Sequence, residues 1–143
     1  MTRIRWSFVL FVLVIAAAFP STSGSSVAVE SRTAAWCNGS QSWTSVHGSI
    51  GDLVRVKARV ASAYFARSSR GQPTFLDLGR AYPNPSRIKI VIWGSDRVNF
   101  PRAPERMFRA GQLVCAQGVP SLYRGAVQIE IAVWDAESRL MSF

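Results

Sequence analysis

A basic and aromatic strand is the first place in this 143-residue sequence where side chains could do chemistry. Between positions 87 and 93, Arg87, Lys89 and Trp93 alternate with three isoleucines. A period of two is typical of a half-buried β-strand, so the isoleucines should face a core and the other residues the outside. Cations bind phosphate and carboxylate groups and an indole stacks on flat groups. The strand therefore predicts a polyanionic ligand.

Two further segments carry the same residue types. Arg67 and Arg70 flank a turn-like stretch, and Tyr123 and Arg124 precede Gly125. Two interpretations stay open for each segment: the arginines are phosphate contacts or solvated loop charges, and Tyr123 is a stacking platform or packs against its own hairpin. Phe75 is assigned to the core, because one residue of the Phe75-Leu76 pair must point inward.

Residues suited to catalysis or metal binding are sparse. His47 is the single histidine, the eight acidic residues form no recognisable acid and base pair, and no Gly-x-Ser-x-Gly sequence occurs. Two cysteines and one distant histidine do not supply a four-ligand zinc set. We therefore expect no enzymatic activity, no cofactor and no metal.

The first residues have the order of a secretory signal peptide. Arg3 and Arg5 precede an apolar run from Trp6 to Phe19, followed by a small and polar stretch. The run is shorter than the roughly 20 residues that span a bilayer, although an uncleaved anchor is the open alternative. The sequence predicts a signal peptide over 1–24, export to the periplasm or the extracellular space, and no membrane association after its removal.

The two cysteines, Cys37 and Cys115, predict a disulfide, because an exported chain matures in an oxidising compartment. A pair of unlinked thiols is the alternative.

The net charge of +9 comes almost entirely from arginine. A planar guanidinium suits phosphate recognition, but a GC-rich genome produces the same bias. The charge alone does not identify the partner.

Hydrophobic periodicity predicts five strands and one helix. The strands begin near Leu53, Thr74, Arg87, Gln112 and Val127; the helix covers Pro104 to Phe108, between strands three and four, and a loop from Pro120 to Gly125 precedes the last strand. Arg55, Lys57 and Arg59 lie on the outer side of the first strand. The pattern favours an all-β fold, a small five-stranded Greek-key OB barrel over 43–135, after a flexible lead-in at 25–42 and before a tail at 136–143. An SH3-like barrel or a small sandwich is the fallback.

Several short motifs occur in a fixed order along residues 43 to 134. They are Phe75-Leu76-Asp77-Leu78-Gly79, Tyr82-Pro83, the strand from Ile88 to Trp93, Gly111, Gly118, Tyr123-Arg124-Gly125 and Gln128-Ile129. In this set the chain resembles bacterial secreted OB-fold proteins related to the domains that accompany extracellular nucleases. It departs from their pattern at Pro120 and Ala126. The resemblance implies binding without cleavage, since nuclease catalytic residues lie in a separate domain.

The OB barrel brings the three basic and aromatic segments to one surface. The sequence therefore predicts an exported, non-catalytic module that binds single-stranded nucleic acid with low sequence specificity. The predicted contacts are Arg67, Arg70, Arg87, Lys89, Trp93, Tyr123 and Arg124. The alternative is a protein partner or an anionic envelope glycan, because OB folds also bind these.

Overall fold

The computed structural model describes residues 35–131 and the backbone of residues 139–142. Its strands are β1 (Gln41–Ser42), β2 (Val54–Phe65), β3 (Thr74–Leu78), β4 (Ile88–Ile92), β5 (Leu113–Gly118), β6 (Pro120–Tyr123), β7 (Ala126–Glu130) and β8 (Arg139–Ser142). A short helix, α1 (Pro104–Met107), and two 3-10 turns, Val46–Gly48 and Asp96–Asn99, lie between the strands. The predicted signal peptide lies outside the described residues.

The strands form a mostly antiparallel sheet in the order β6-β7-β4-β3-β2-β5-β8, with β1 paired to β2 off this path. β4 and β7 are parallel. The long strand β2 belongs to both halves of the sheet, since residues 54–59 pair with β5 and residues 60–65 pair with β3. β5 and β6 stand far apart on this hydrogen-bonded path, although only Val119 separates them in the chain.

A β-bulge between Val60 and Ser62 lets β2 change its side-chain alternation. Val54, Val56, Ala58 and Val60 face the core, whereas Ser62 and Tyr64 pair with the outward residues of β3. The even-numbered residues of one strand therefore point inward before the bulge and outward after it.

The sheet encloses a single apolar cluster. The inward face of β4 is confirmed as predicted, because Ile88, Ile90 and Ile92 are fully buried. They pack with residues from β2, β3, β5 and β7 and with Phe108 after α1. Burial of one face from each of these strands leaves the other face free to carry polar residues.

Two segments outside the predicted domain bounds take part in the sheet. Residues 41–42, assigned to the lead-in, pair with β2, and residues 139–142, assigned to the tail, pair with β5. Residues 120–123, expected as loop, form β6, because they hydrogen-bond to β7 around a two-residue turn. The strand predicted to begin near Val127 is β7, and positions 132–138 lie outside the described residues.

The structure joins Cys37 to Cys115 by a disulfide, with the Cα atoms 6.0 Å apart. Cys115 lies in the centre of β5 and both residues are buried. The bridge ties the segment before β1 to the sheet across 78 positions of sequence. Among the described helices, none has the length and apolar character to cross a membrane.

Reduction of the disulfide should lower the free energy of unfolding by about 4 kcal/mol at most, because it releases a long loop in the unfolded chain. Urea denaturation with and without a reductant measures the difference. The Cys37→Ala/Cys115→Ala variant is the control, and its stability should not respond to the reductant. Equal stability of the oxidised and reduced protein would contradict a bridge that stabilises the fold.

Candidate nucleic-acid interface

The outward faces of β3, β4 and β7, with adjoining residues of β2 and β6, form one continuous surface. Register places its side chains in two rows that cross the strands, and we call this surface the outer face. One row is Ser62, Asp77, Lys89, Gln128 and Ser121, and the other is Tyr64, Phe75, Val91 and Glu130. Neighbours within such a row lie close enough for their side chains to contact one another.

Asp77 is the polar centre of the outer face. Its Oδ1 accepts a hydrogen bond from Arg87 Nε at 3.0 Å, and its Oδ2 accepts from Ser62 Oγ at 2.7 Å and from the Tyr82 amide at 3.1 Å. The side chains of Asp77 and Arg87 are each 7% exposed. A buried charge of this kind requires a partner. The ion pair therefore holds β3, β4 and the loop between them in one arrangement.

Arg87 also organises the loop that joins β3 to β4. Its Nη1 donates to the carbonyl oxygen of Asn84 at 2.7 Å, and its guanidinium lies 5.1 Å from the centre of the Tyr82 ring. Tyr82 itself remains 75% exposed. The arginine thus lies against an aromatic ring that the loop presents to solvent.

Lys89 projects from the middle of the outer face between two rings. Its Nζ is 5.2 Å from the centre of Phe75 and 5.7 Å from that of Tyr123, within the range of cation–π attraction. Burial lowers the pKa of Lys89 below its ordinary value by desolvating the ammonium; Arg87 lowers it further, Asp77 partly opposes this, and Arg124 adds a smaller lowering. An anion bound here would favour the charged form of the lysine.

A tight turn places Tyr123 and Arg124 beside Lys89. Arg124 and Gly125 have φ values of 51° and 78°, as a two-residue hairpin turn between β6 and β7 requires at its central positions. The guanidinium of Arg124 lies 5.4 Å from the centre of the Tyr123 ring, which is 49% exposed. The turn therefore offers a cation and a ring on the same side as the outer face.

Trp93 lies at the far end of the outer face. Its Nε1 donates to Glu130 Oε2 at 2.9 Å, and Gln128 Nε2 donates to Glu130 Oε1 at 3.1 Å. These bonds orient the indole and occupy both carboxylate oxygens of Glu130. The negative charge of Glu130 is thus partly satisfied before any ligand approaches.

Three adjoining depressions cross the outer face and Lys89 lines all of them. Their volumes are about 340, 410 and 450 Å³. The first is bounded by Tyr64, Phe75 and Tyr82, the second by Tyr82, Tyr123 and Arg124, and the third by Arg70, Trp93 and Arg124. Together they form a groove with a cation at its centre and rings along its walls.

Most of the predicted contact residues meet at this groove. Arg70, Lys89, Trp93, Tyr123 and Arg124 line it with side chains that reach solvent. Arg87 lines it as well, but its guanidinium is occupied by Asp77 and Asn84, which suits positioning more than direct contact. Arg67 is exposed and lies 5.8 Å from the Phe65 ring, and it is not among the residues that bound the three depressions.

Three rings of the groove were not predicted as site residues. The assignment of Phe75 to the core is wrong, because Leu76 takes the inward position and Phe75 packs beside Tyr64 with ring centres 5.5 Å apart. Tyr64 lies beyond the bulge that reverses the alternation of β2. Tyr82 depends on Arg87 and Asp77 for its position, which sequence spacing does not reveal.

Within residues 35–131, no three His, Cys, Asp or Glu side chains cluster in a way that could hold a metal ion. The two carboxylates at the groove, Asp77 and Glu130, are both hydrogen-bonded to neighbouring side chains. The groove is therefore equipped for contacts by cations and rings.

No protein-family model matches the chain, and no curated protein matches it. Similar solved structures include a protein described as an aspartyl-tRNA synthetase from Leishmania major Friedlin, with 9% identity over 71% of this chain and a TM-score of 0.48. The Stn1-Ten1 complex of S. pombe matches with 12% identity over 64% of this chain and a TM-score of 0.42. An aspartyl-tRNA synthetase from Entamoeba histolytica matches with 13% identity over 66% and a TM-score of 0.43.

This chain spans 20% and 19% of the two synthetase chains and 57% of the Stn1-Ten1 chain. Similarities at these scores carry no assignment of function to this protein.

Removal of the Asp77 carboxylate should destabilise the protein strongly. Asp77→Ala leaves the guanidinium of Arg87 buried without its counterion, and loss of one partner of a buried pair costs about 3–5 kcal/mol. Chemical denaturation measures the loss, with exposed Asp52→Ala as a matched control that should change stability by less than about 0.5 kcal/mol.

The double variant Asp77→Ala/Arg87→Met should recover part of this loss, because it removes the unpaired charge as well. If Asp77→Ala lowers the free energy of unfolding no more than Asp52→Ala does, the ion pair does not hold the outer face together.

Proposed function

We propose that this protein is a non-catalytic OB-fold module that binds single-stranded nucleic acid along the groove of the outer face. The observation that carries the proposal is the position of Lys89, a partly buried cation between two rings where the three depressions meet. Single strands are bound by cations that follow the phosphates and by rings on which bases stack. Both kinds of group line this groove.

The strand connections support the OB assignment. We infer that β5 and β6 are two halves of one strand, interrupted at Val119, which would make a five-stranded Greek-key barrel of β2, β3, β4, β5-β6 and β7. The parallel pairing of β4 with β7 and the position of α1 between β4 and β5 fit this topology. In such a barrel the groove would lie across the second and third strands, between the first and last loops.

The chemistry of the groove favours an unpaired strand with little sequence preference. Tyr64, Tyr82 and Tyr123 are about half exposed or more, so their faces are open to bases that are not paired with a second strand. Stacking on a ring contributes about 1–3 kcal/mol per base and tolerates any base. Lys89, Arg70 and Arg124 would supply the phosphate contacts.

Export and the absence of catalysis are also part of the proposal. The order of charged, apolar and polar residues at positions 1–24 supports export, and the buried Cys37 to Cys115 bridge is compatible with an oxidising compartment. The engaged carboxylates of Asp77 and Glu130 support binding without hydrolysis. An acidic glycan or an acidic protein surface would meet the same cations, and the comparison with an acidic polysaccharide below tests the glycan.

The purified chain should bind oligothymidine with an affinity that falls with salt. If Lys89, Arg70 and Arg124 each neutralise one phosphate, the logarithm of affinity against the logarithm of salt concentration should have a slope of about −2, since single strands give about −0.7 per phosphate. Lys89→Ala should reduce both affinity and slope. Tyr123→Ala should reduce affinity by about 1–3 kcal/mol with little change in slope, because a ring carries no charge.

Fluorescence anisotropy on folded variants measures both quantities. Tyr123→Phe keeps the ring and should bind like the wild type, and exposed Arg102→Ala is the control for lost charge. Absence of binding at low salt would contradict the proposal. If Arg102→Ala and Lys89→Ala lower the affinity equally, net charge alone would explain the binding. Tighter binding of an acidic polysaccharide with the same dependence on Lys89 would identify a glycan site instead.

A further inference from the structure

A second pocket lies on the other side of the loop that borders the groove. Its volume is about 450 Å³, and it is lined by Trp43, Thr44, His47, Arg80, Asn84 and Ser86. Tyr82, Pro83 and Pro85 of the same loop line the groove. The segment 80–86 is therefore a partition with the groove on one side and this pocket on the other.

One wall of the pocket is built on a close backbone approach. Gly79 has a φ of 75°, and a side chain added there would collide with the Trp43 ring, coming closest to its Cδ2 and Cε2 atoms. The indole thus packs directly on the backbone at the end of β3. Val46, which precedes His47, is fully buried and anchors the 3-10 turn that carries the histidine. These contacts fix the wall without any ligand.

The opposite wall is held by hydrogen bonds of Asn84, and one of these comes from Arg87, which also shapes the groove. The Ser86 amide donates to Asn84 Oδ1 at 2.9 Å, which leaves the Asn84 side-chain nitrogen as a donor. The Asn84 carbonyl accepts from Arg87, whose other guanidinium contact is Asp77. The pocket and the groove therefore share one positioning residue, Arg87.

The lining residues supply hydrogen-bond donors and no carboxylate. Arg80 carries a permanent charge, is exposed, and makes no ion pair within residues 35–131. The hydroxyls of Thr44 and Ser86, the Asn84 amide and the His47 ring add further donors. Donors of this type around an arginine suit a phosphate group, and a neighbouring indole suits a flat ring.

We propose that this pocket binds one nucleotide unit, with its phosphate at Arg80 and its base or sugar against Trp43. The proposal rests on the proposed function in one respect: the unit belongs to the strand in the groove, which continues over the 80–86 loop. A free mononucleotide presents the same chemistry and is the other source of such a unit. Strand length separates the two sources, because only a strand long enough to pass the loop reaches both sites.

The test compares oligothymidines of three and of ten nucleotides by fluorescence anisotropy. Arg80→Ala should weaken binding of the ten-nucleotide strand by about 10-fold or more, as expected for loss of a hydrogen-bonded contact to a charged group. It should also reduce the magnitude of the salt slope by about 0.7 for that strand alone. The three-nucleotide strand, which the groove can hold, should bind Arg80→Ala and the wild type equally.

Arg102→Ala is the matched control, since Arg102 is exposed, lines neither the pocket nor the groove, and its loss should affect the two lengths alike. Equal weakening of both lengths by Arg80→Ala, or weakening no greater than that from Arg102→Ala, would overturn the proposal.

A second measurement uses thymidine monophosphate and two-dimensional NMR. Amide shifts in residues 43–47 and 80–86 that disappear in Arg80→Ala would support a nucleotide site. If no oligonucleotide binds while these shifts are seen, the proposed function is wrong and the nucleotide site still holds. If thymidine monophosphate saturates the pocket but the longer strand binds no more tightly than the shorter one, the pocket would be a site for free nucleotides. This result would overturn the proposal that one strand continues from the groove into the pocket.

Discussion

The ion pair between Asp77 and Arg87 is the interaction on which the outer face depends. One buried carboxylate receives donors from β2, from Arg87 at the start of β4 and from the loop between β3 and β4. Arg87 in turn lies against the Tyr82 ring and donates a hydrogen bond to the Asn84 carbonyl. Because neither charge can remain buried alone, the two strands and the loop adopt this arrangement together. The groove and the second pocket are therefore both shaped by one pair of residues.

The same arrangement explains why the remaining cations are available to a ligand. Asp77 is satisfied by Arg87 and Ser62, and Glu130 is satisfied by Trp93 and Gln128, so neither carboxylate forms an ion pair with Lys89. Lys89 instead lies between rings, where burial and neighbouring arginines lower its pKa. A phosphate bound at such a site would stabilise the charged form of the lysine, because it supplies the missing negative charge. In the proposed binding mode, structural polar contacts and ligand contacts thus belong to different side chains.

Strand periodicity predicts much of this fold. The alternation around Lys89 identifies the inward isoleucines of β4 and the outward lysine, and the Tyr-Arg-Gly sequence marks the turn before β7. The bulge in β2 is not visible in the sequence, so the outward position of Tyr64 could not be assigned. The adjacent residues Phe75 and Leu76 are both apolar, and only the register with β4 decides which one faces the core. The pairing of Asp77 with Arg87 likewise follows from register and loop geometry that spacing does not specify.

The central claim is that ligand contacts concentrate on the outer face, and not wherever the protein is basic. A titration of the full chain with oligothymidine at low salt, followed by two-dimensional amide NMR, tests this most directly. The account predicts shifts clustered in β3, β4, β7 and the turn at Arg124. It is contradicted if the shifts concentrate on the outward residues of the first half of β2, Arg55, Lys57 and Arg59, or spread evenly over exposed arginines.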